Sequence, residues 1–293
     1  MALAKRKLAT CLWFDKQAEE AAKFYCSVFK NSKLGRTAYY PDAGQDIHAK
    51  PANSVLTVEF ELEGVAFMAL NAGPMFKFNE AVSLQVHCQT QDEIDYYRKT
   101  LTAGGQEGRG GWLRDKFGLS WQVVRGPMAR AGHRIVPCLW FDTQGEDAAR
   151  FYCSVFKNSK LGGISRYSDA GKEMHGKEAG SVMVVEFELE GTPLIALNGG
   201  PQFTFNEAVS LQIPCETQEE IDYYWSALTA DGGQESQCGW LKDKFGLSWQ
   251  VFPDFMGDIL TGPNRAAAAR VMNAFMPMKK FDMAAIKKAF KGE

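Results

Sequence analysis

Four pairs of side chains with hydrogen-bonding or stacking capacity recur at a fixed distance along this chain. Gln85 pairs with Gln212 and Asn71 with Asn198, 127 residues apart, and Gln122 pairs with Gln250 and Trp112 with Trp240, 128 residues apart. Amides and indoles do not ionise near neutral pH, so their chemistry is recognition. A few amides among aromatic side chains suit a small, partly polar, uncharged ligand. More reactive groups are sparser. Cys11 and Cys138 correspond, but no histidine stands near them in the pattern, and a thiol nucleophile needs a base. Of the four histidines, His48 and His175 correspond in a loop, His87 stands opposite Pro214, and His133 lies between the two copies, so all read as surface or loop residues. Glu59/Glu186 and Glu61/Glu188 alternate with apolar residues and point either to solvent or into an enclosed space, solvent being the preferred reading.

These pairs belong to a duplication of a whole domain. Cys11-Leu12-Trp13-Phe14-Asp15 returns as Cys138-Leu139-Trp140-Phe141-Asp142, and Phe24 to Leu34 returns unchanged as Phe151 to Leu161. Roughly two thirds of the paired positions are identical, over a period far longer than that of solenoid repeats. Within one repeat, Leu8 to Phe14 reads as a strand that stops at Asp15, a good cap for the helix predicted over Ala18 to Phe29. Strands follow over Gly35 to Tyr40, Ser54 to Leu62 and Val65 to Leu70, the last two joined by the turn Glu63-Gly64. The second half starts with a strand, Ala81 to Cys88. Thr90-Gln91-Asp92-Glu93 then forms a capping box that opens a helix to about Leu101. Strands near Gln106 and over Leu119 to Val124 complete it, with Gly108 to Lys116 as a loop that carries Trp112, and Asp115-Lys116 as a turn. Both halves thus read βαβββ. After Pro253 the chain turns helical over Phe255 to Leu260, Arg265 to Met276 and Met283 to Phe290, broken at Gly262-Pro263 and Pro277.

The predicted organisation is a first domain over 1–124, a linker over 125–134, a second domain over 135–253 and a helical extension over 254–293. A formal charge of −2 in 293 residues supplies no electrostatic footprint for nucleic acid or an anionic membrane surface. Met1 to Leu8 has basic residues but no apolar run behind them, and no stretch approaches the roughly 20 apolar residues of a membrane span, so a cytoplasmic location is expected. Seven cysteines without a CxxC pair suggest small buried thiols rather than a disulfide framework or a zinc site.

The pieces Leu-Trp-Phe-Asp, Ala-Ala-(Lys/Arg)-Phe-Tyr, Ala-Leu-Asn-(Ala/Gly)-Gly-Pro, Thr-Gln-(Asp/Glu)-Glu-Ile-Asp-Tyr-Tyr and Gly-Trp-Leu-(Arg/Lys)-Asp-Lys-Phe-Gly-Leu-Ser-Trp-Gln resemble PhnB-like proteins. These form part of the glyoxalase/bleomycin resistance/dioxygenase, or vicinal oxygen chelate, superfamily. The resemblance implies an α+β fold with two βαβββ modules per domain, curled around a small-molecule cavity. It also implies a divalent metal held by His, Glu or Gln on the first, fourth, fifth and eighth strands. Here those places offer Thr10 or Cys11, Ala69 or Asn71, Ser83 or Gln85, and Gln122, with Pro137 or Cys138, Ala196 or Asn198, Ser210 or Gln212, and Gln250 in the other copy. Neutral amides and hydroxyls are poor ligands, so no metal cofactor is expected. Relatives often carry a demethylubiquinone methyltransferase label, yet the glycine-dense stretch Gly104 to Gly111 follows a helix instead of joining a strand to one. The expectation is a metal-independent small-molecule binder with two similar cavities, folded as an internal pseudo-dimer that is able to pair again. The alternatives are a metal-assisted lyase, isomerase or dioxygenase with unusual ligands, a methyltransferase as the label says, or a protein with a structural role.

Overall fold

In each repeat a strand carries the chain into an amphipathic helix, and the hairpins that follow supply the sheet on which that helix lies. A computed structural model describes residues 8–41, 50–126 and 132–293; His48 and half of the predicted linker lie outside them. The first module contains β1 (Ala9–Phe14), α1 (Ala18–Val28), β2 (Ser32–Tyr39), β3 (Val55–Leu62) and β4 (Val65–Asn71). The second contains β5 (Val82–Cys88), α2 (Gln91–Leu101), β6 (Gln106–Glu107), β7 (Trp112–Arg114) and β8 (Ser120–Arg125). The third has β9 (Ile135–Phe141), α3 (Gly145–Val155), β10 (Ser159–Arg166), the short α4 (Lys172–His175), β11 (Val182–Leu189) and β12 (Thr192–Asn198). The fourth has β13 (Val209–Cys215), α5 (Gln218–Thr229), β14 (Gln234–Glu235), β15 (Trp240–Lys242) and β16 (Ser248–Pro253). Then come α6 (Met256–Thr261), α7 (Arg265–Phe275) and α8 (Met283–Lys291). Among the described residues no helix is long and apolar enough to cross a membrane.

The strands form two mixed eight-stranded sheets, β14-β15-β16-β13-β1-β4-β3-β2 and β10-β11-β12-β9-β5-β8-β7-β6. Each sheet joins one half of each repeat. The repeats and the compact units are therefore cut differently: one unit holds residues 1–77 with 206–293, the other 78–205. The short connection from β8 to β9 ties the second module to the third, and β5 and β9 pair antiparallel there. The first and last modules meet through the equivalent antiparallel pair β1 and β13.

Local order follows side-chain periodicity. Ala18, Ala21, Ala22, Tyr25 and Val28 bury one face of α1, and Tyr25 stacks on Phe60 with ring centroids 6.1 Å apart. The threonine half of each capping box forms as predicted, the Thr90 and Thr217 hydroxyls accepting from the backbone amides of Glu93 and Glu220, each at 3.2 Å, while the glutamate carboxylates accept from the amides one residue earlier, Gln89 and Glu216, at 2.7 and 2.8 Å. Two expectations need correction. Asp15 does not cap α1; the cap position is Gln17, whose side chain makes no capping bond. Trp112 and Trp240 lie on strands β7 and β15 instead of in a loop, each in register with a glutamine, Gln122 and Gln250 respectively.

Candidate ligand cavity

The central strands carry a polar cluster on one face of each sheet. In the unit that holds both chain ends, Cys11 of β1 faces Ser210 of β13 in register, and Gln212 of β13 faces Gln250 of β16. Alternation puts Ser210 and Gln212 on the same side. Gln212 Nε2 donates to Gln250 Oε1 at 3.1 Å, and Gln250 Nε2 donates to Ser210 Oγ at 2.8 Å. The other unit repeats the chain: Gln85 Nε2 to Gln122 Oε1 at 3.0 Å and Gln122 Nε2 to Ser83 Oγ at 2.7 Å. Beside each chain lies a buried thiol. Burial pushes Cys11 up to about 12, outweighing the opposing hydrogen bonds to Gln250 and Ser210. Cys138 is pushed up to about 12 in the same way, against opposing bonds to Gln122, Ser83 and Gln85. Neither thiol is a nucleophile near neutral pH, because the thiolate is the reactive species.

Asn71 and Asn198 do different work. Asn71 Oδ1 accepts from the Ala18 amide at 2.8 Å and its Nδ2 donates to the Val55 carbonyl at 3.0 Å. Asn198 holds the Gly145 amide and the Val182 carbonyl at 2.8 and 3.1 Å. Each asparagine caps a helix that its own cap residue leaves open, and both ends of its amide are used for that. The long Asp-Lys-Phe-Gly-Leu-Ser-Trp motif is equally structural. Asp243 Oδ1 accepts from the Phe245 and Leu247 amides at 2.8 and 3.1 Å, and its Oδ2 accepts from Trp249 Nε1 at 2.8 Å. Asp115 does the same for Phe117, Leu119 and Trp121.

A cavity of about 380 Å³ opens against the cluster in the unit that holds both chain ends, and Gln212, Gln250 and Trp240 line it. Met68 and Leu70 of β4 form part of its floor, while Met256, Leu260, Phe275 and Phe281 from the C-terminal extension form the facing wall. Those helices are fixed by specific bonds. Arg36 of β2 donates from Nε to both oxygens of Glu59, at 3.1 and 3.0 Å, and from Nη1 to Asp258 of α6. Arg265 reaches Asn53 Oδ1 at 2.7 Å, and the amides of Cys238 and Gly239 donate to the Met278 and Lys279 carbonyls at 2.7 and 2.8 Å. Glu59 thus faces the cavity and not solvent, since Arg36 neutralises it there.

The other unit departs from the expectation of two similar cavities. On the corresponding face Val136, Cys138 and Ile195 form an apolar cluster with Val184 and Leu197 packed against it. Val136 stands where the first repeat has Ala9, Val184 where it has Thr57, and Gly163 where it has Arg36. The extension follows the second repeat alone. Trp112 instead lines a shallower groove of about 340 Å³ with Trp140 and Phe203. Gln85 and Gln122 are brought together, but beside the apolar cluster. Sequence reasoning passed over Arg36, Asp258 and the apolar wall of the extension. The exchange of Arg36 for Gly163 between otherwise similar strands was the available signal.

A divalent metal does not fit either cluster. Among the described residues no three His, Cys, Asp or Glu side chains come together. The donors that do meet are neutral amides, a hydroxyl and a buried thiol, a set without the imidazole and carboxylate groups that hold a divalent metal firmly. His175, the described member of the loop pair, accepts from the Lys177 amide at 3.0 Å.

The fold is α+β and consists of two tandem copies of one PhnB-like domain. A family model described as 3-demethylubiquinone-9 3-methyltransferase matches residues 6–124 and 133–252, and the chain belongs to that family. A PhnB protein from Bacillus cereus is 32% identical over 40% of this chain and 98% of its own, with a TM-score of 0.35. A Staphylococcus aureus protein is 28% identical over 41% of this chain and 97% of its own, with a TM-score of 0.19. A Bacillus subtilis protein provisionally assigned as a dioxygenase is 14% identical over 86% of both chains, with a TM-score of 0.46. No curated protein matches the chain.

Proposed function

We propose that this protein binds a small, mainly apolar molecule in the cavity between the first and last modules and the C-terminal helices, without help from a metal ion. The observation that carries the reading is the cavity itself. At about 380 Å³ it falls within the range of small-molecule sites, roughly 300–1,000 Å³, and combines an apolar lining with a few convergent polar groups as such sites do. The methyltransferase in the family's description finds no support in the turns that lead from strand to helix. Residues 15–17, 89–90, 142–144 and 216–217 contain no glycine, whereas a nucleotide cofactor needs close backbone approach at such a turn.

The test is a fluorescence titration of the purified full chain with 1-aminoanthracene, a rigid apolar dye. The reading requires saturable binding at a single site per chain, unchanged after treatment with a chelator, and lost in Leu260→Trp, which fills the cavity. Binding that is absent, or that Leu260→Trp leaves intact, refutes it. Dependence on added Mn, Zn, Ni or Fe refutes the metal-free part.

A further inference from the structure

The cavity carries an unanswered acceptor. Gln212 is only 7% exposed, and its Nε2 is committed to Gln250 Oε1, whose own Nε2 is committed to Ser210. The remaining strong acceptor of that amide, Gln212 Oε1, has no partner among the described residues, and the residue lines the cavity. Open to the cavity, this oxygen becomes a buried and unmet acceptor once a ligand covers it without supplying a donor, so a ligand that donates gains what one without a donor forfeits.

The charges around it narrow the ligand further. Arg36 is the sole basic side chain among the described lining residues, and it is held by Glu59 and Asp258. Glu59, Glu216, Glu220 and Asp254 also line the cavity. An anionic ligand would enter an apolar space without an uncommitted cation among the described lining residues and with four carboxylates on its walls, which burial makes unfavourable.

Resting on the binding reading above, we infer that the ligand is an uncharged apolar molecule of a few fused or linked rings that donates an N–H or O–H to Gln212 Oε1. Gln212 is then the specificity-determining residue, and Gln85, its counterpart beside the apolar cluster, has no such role.

Four probes on one ring system, substituted at the same position, test this on the full chain: 1-aminoanthracene, which donates; anthracene, without a polar group; 1-anthraldehyde, which only accepts; and anthracene-1-carboxylate, an anion. The expected order puts the amine first by about tenfold or more over anthracene, the scale of one buried hydrogen bond, with the carboxylate weakest. Gln212→Met should bring the amine down to the anthracene level and leave anthracene unchanged, while Gln85→Met should alter neither. Equal binding of amine and anthracene, or a preference for the aldehyde or the carboxylate, overturns the donor assignment while the cavity reading stands. If Leu260→Trp leaves every probe bound, or none binds at all, the cavity reading falls and this inference with it. Should Gln212→Met fail to fold, the order of the four probes on the unaltered chain decides.

Discussion

Replacing Asp243 by alanine leaves three donors without their acceptor, the amides of Phe245 and Leu247 and the Trp249 indole. The site is closed: Asp243 is 2% exposed, and Leu247 and Trp249 are 0%. Phe245 is half-buried, so its amide can reach water once the carboxylate is gone. The other two donors cannot. At about 1–3 kcal/mol for each buried donor left unpaired, Asp243→Ala should cost roughly 2–6 kcal/mol. Asp243→Asn keeps one oxygen for the backbone amides but turns an NH₂ group toward the indole N–H, so it should lose about half as much, on the order of 1–3 kcal/mol. Asp115 holds its partners with the same three-bond geometry and should give the same ranking in its own unit. Urea unfolding followed by circular dichroism measures the losses, and a change in midpoint at constant slope identifies a true stability effect. An alanine variant that costs less than about 1 kcal/mol, or an asparagine variant worse than alanine, would refute the argument that hydrogen-bond satisfaction fixes this motif.

Three other outcomes follow from the same geometry. Asn71→Ala removes the acceptor for α1 and the donor to Val55 and should cost about 2 kcal/mol, whereas Asn71→Asp keeps the acceptor and should cost about half, both read from thermal melts. Cys11 and Cys138 are raised from 9.0 to about 12, so each thiol keeps its proton in the folded chain and loses it in the unfolded one between those values. Stability should be complete below pH 9 and fall above it by up to about 1.4 kcal/mol per pH unit for each thiol; the double variant Cys11→Ala, Cys138→Ala must show a shallower alkaline decline in urea titrations. Deleting residues 255–293 removes one wall of the cavity, and 1-aminoanthracene binding should disappear in dye titrations; retained binding would place the site elsewhere.

Much of the fold was legible because its signals are local. The face of α1, the threonine caps of α2 and α5, and the breaks in the C-terminal helices all depend on residues within a few positions of each other. What escaped depends on distance along the chain. Asn71 caps a helix that starts 53 residues earlier, and a strand of three residues such as β7 is too short to display alternation. The glutamine pairs were recognised from their recurrence, but a repeat does not reveal which module will pair with which. Arg36 looked like an ordinary strand residue until α6 supplied Asp258 as its second partner.

The pairing of first and last modules also bears on the birth of the chain. The second and third modules are contiguous and can join as soon as both have left the ribosome, but β1 must wait for β13, roughly 200 residues later. At about 5–20 residues per second, that is a wait of about 10–40 s. During it the first module presents the edge of β1 and the apolar floor of β4 to any other chain nearby, a hazard for unpaired strands. Destabilising changes in β13 should therefore lower the yield of soluble protein more than equal changes in β5.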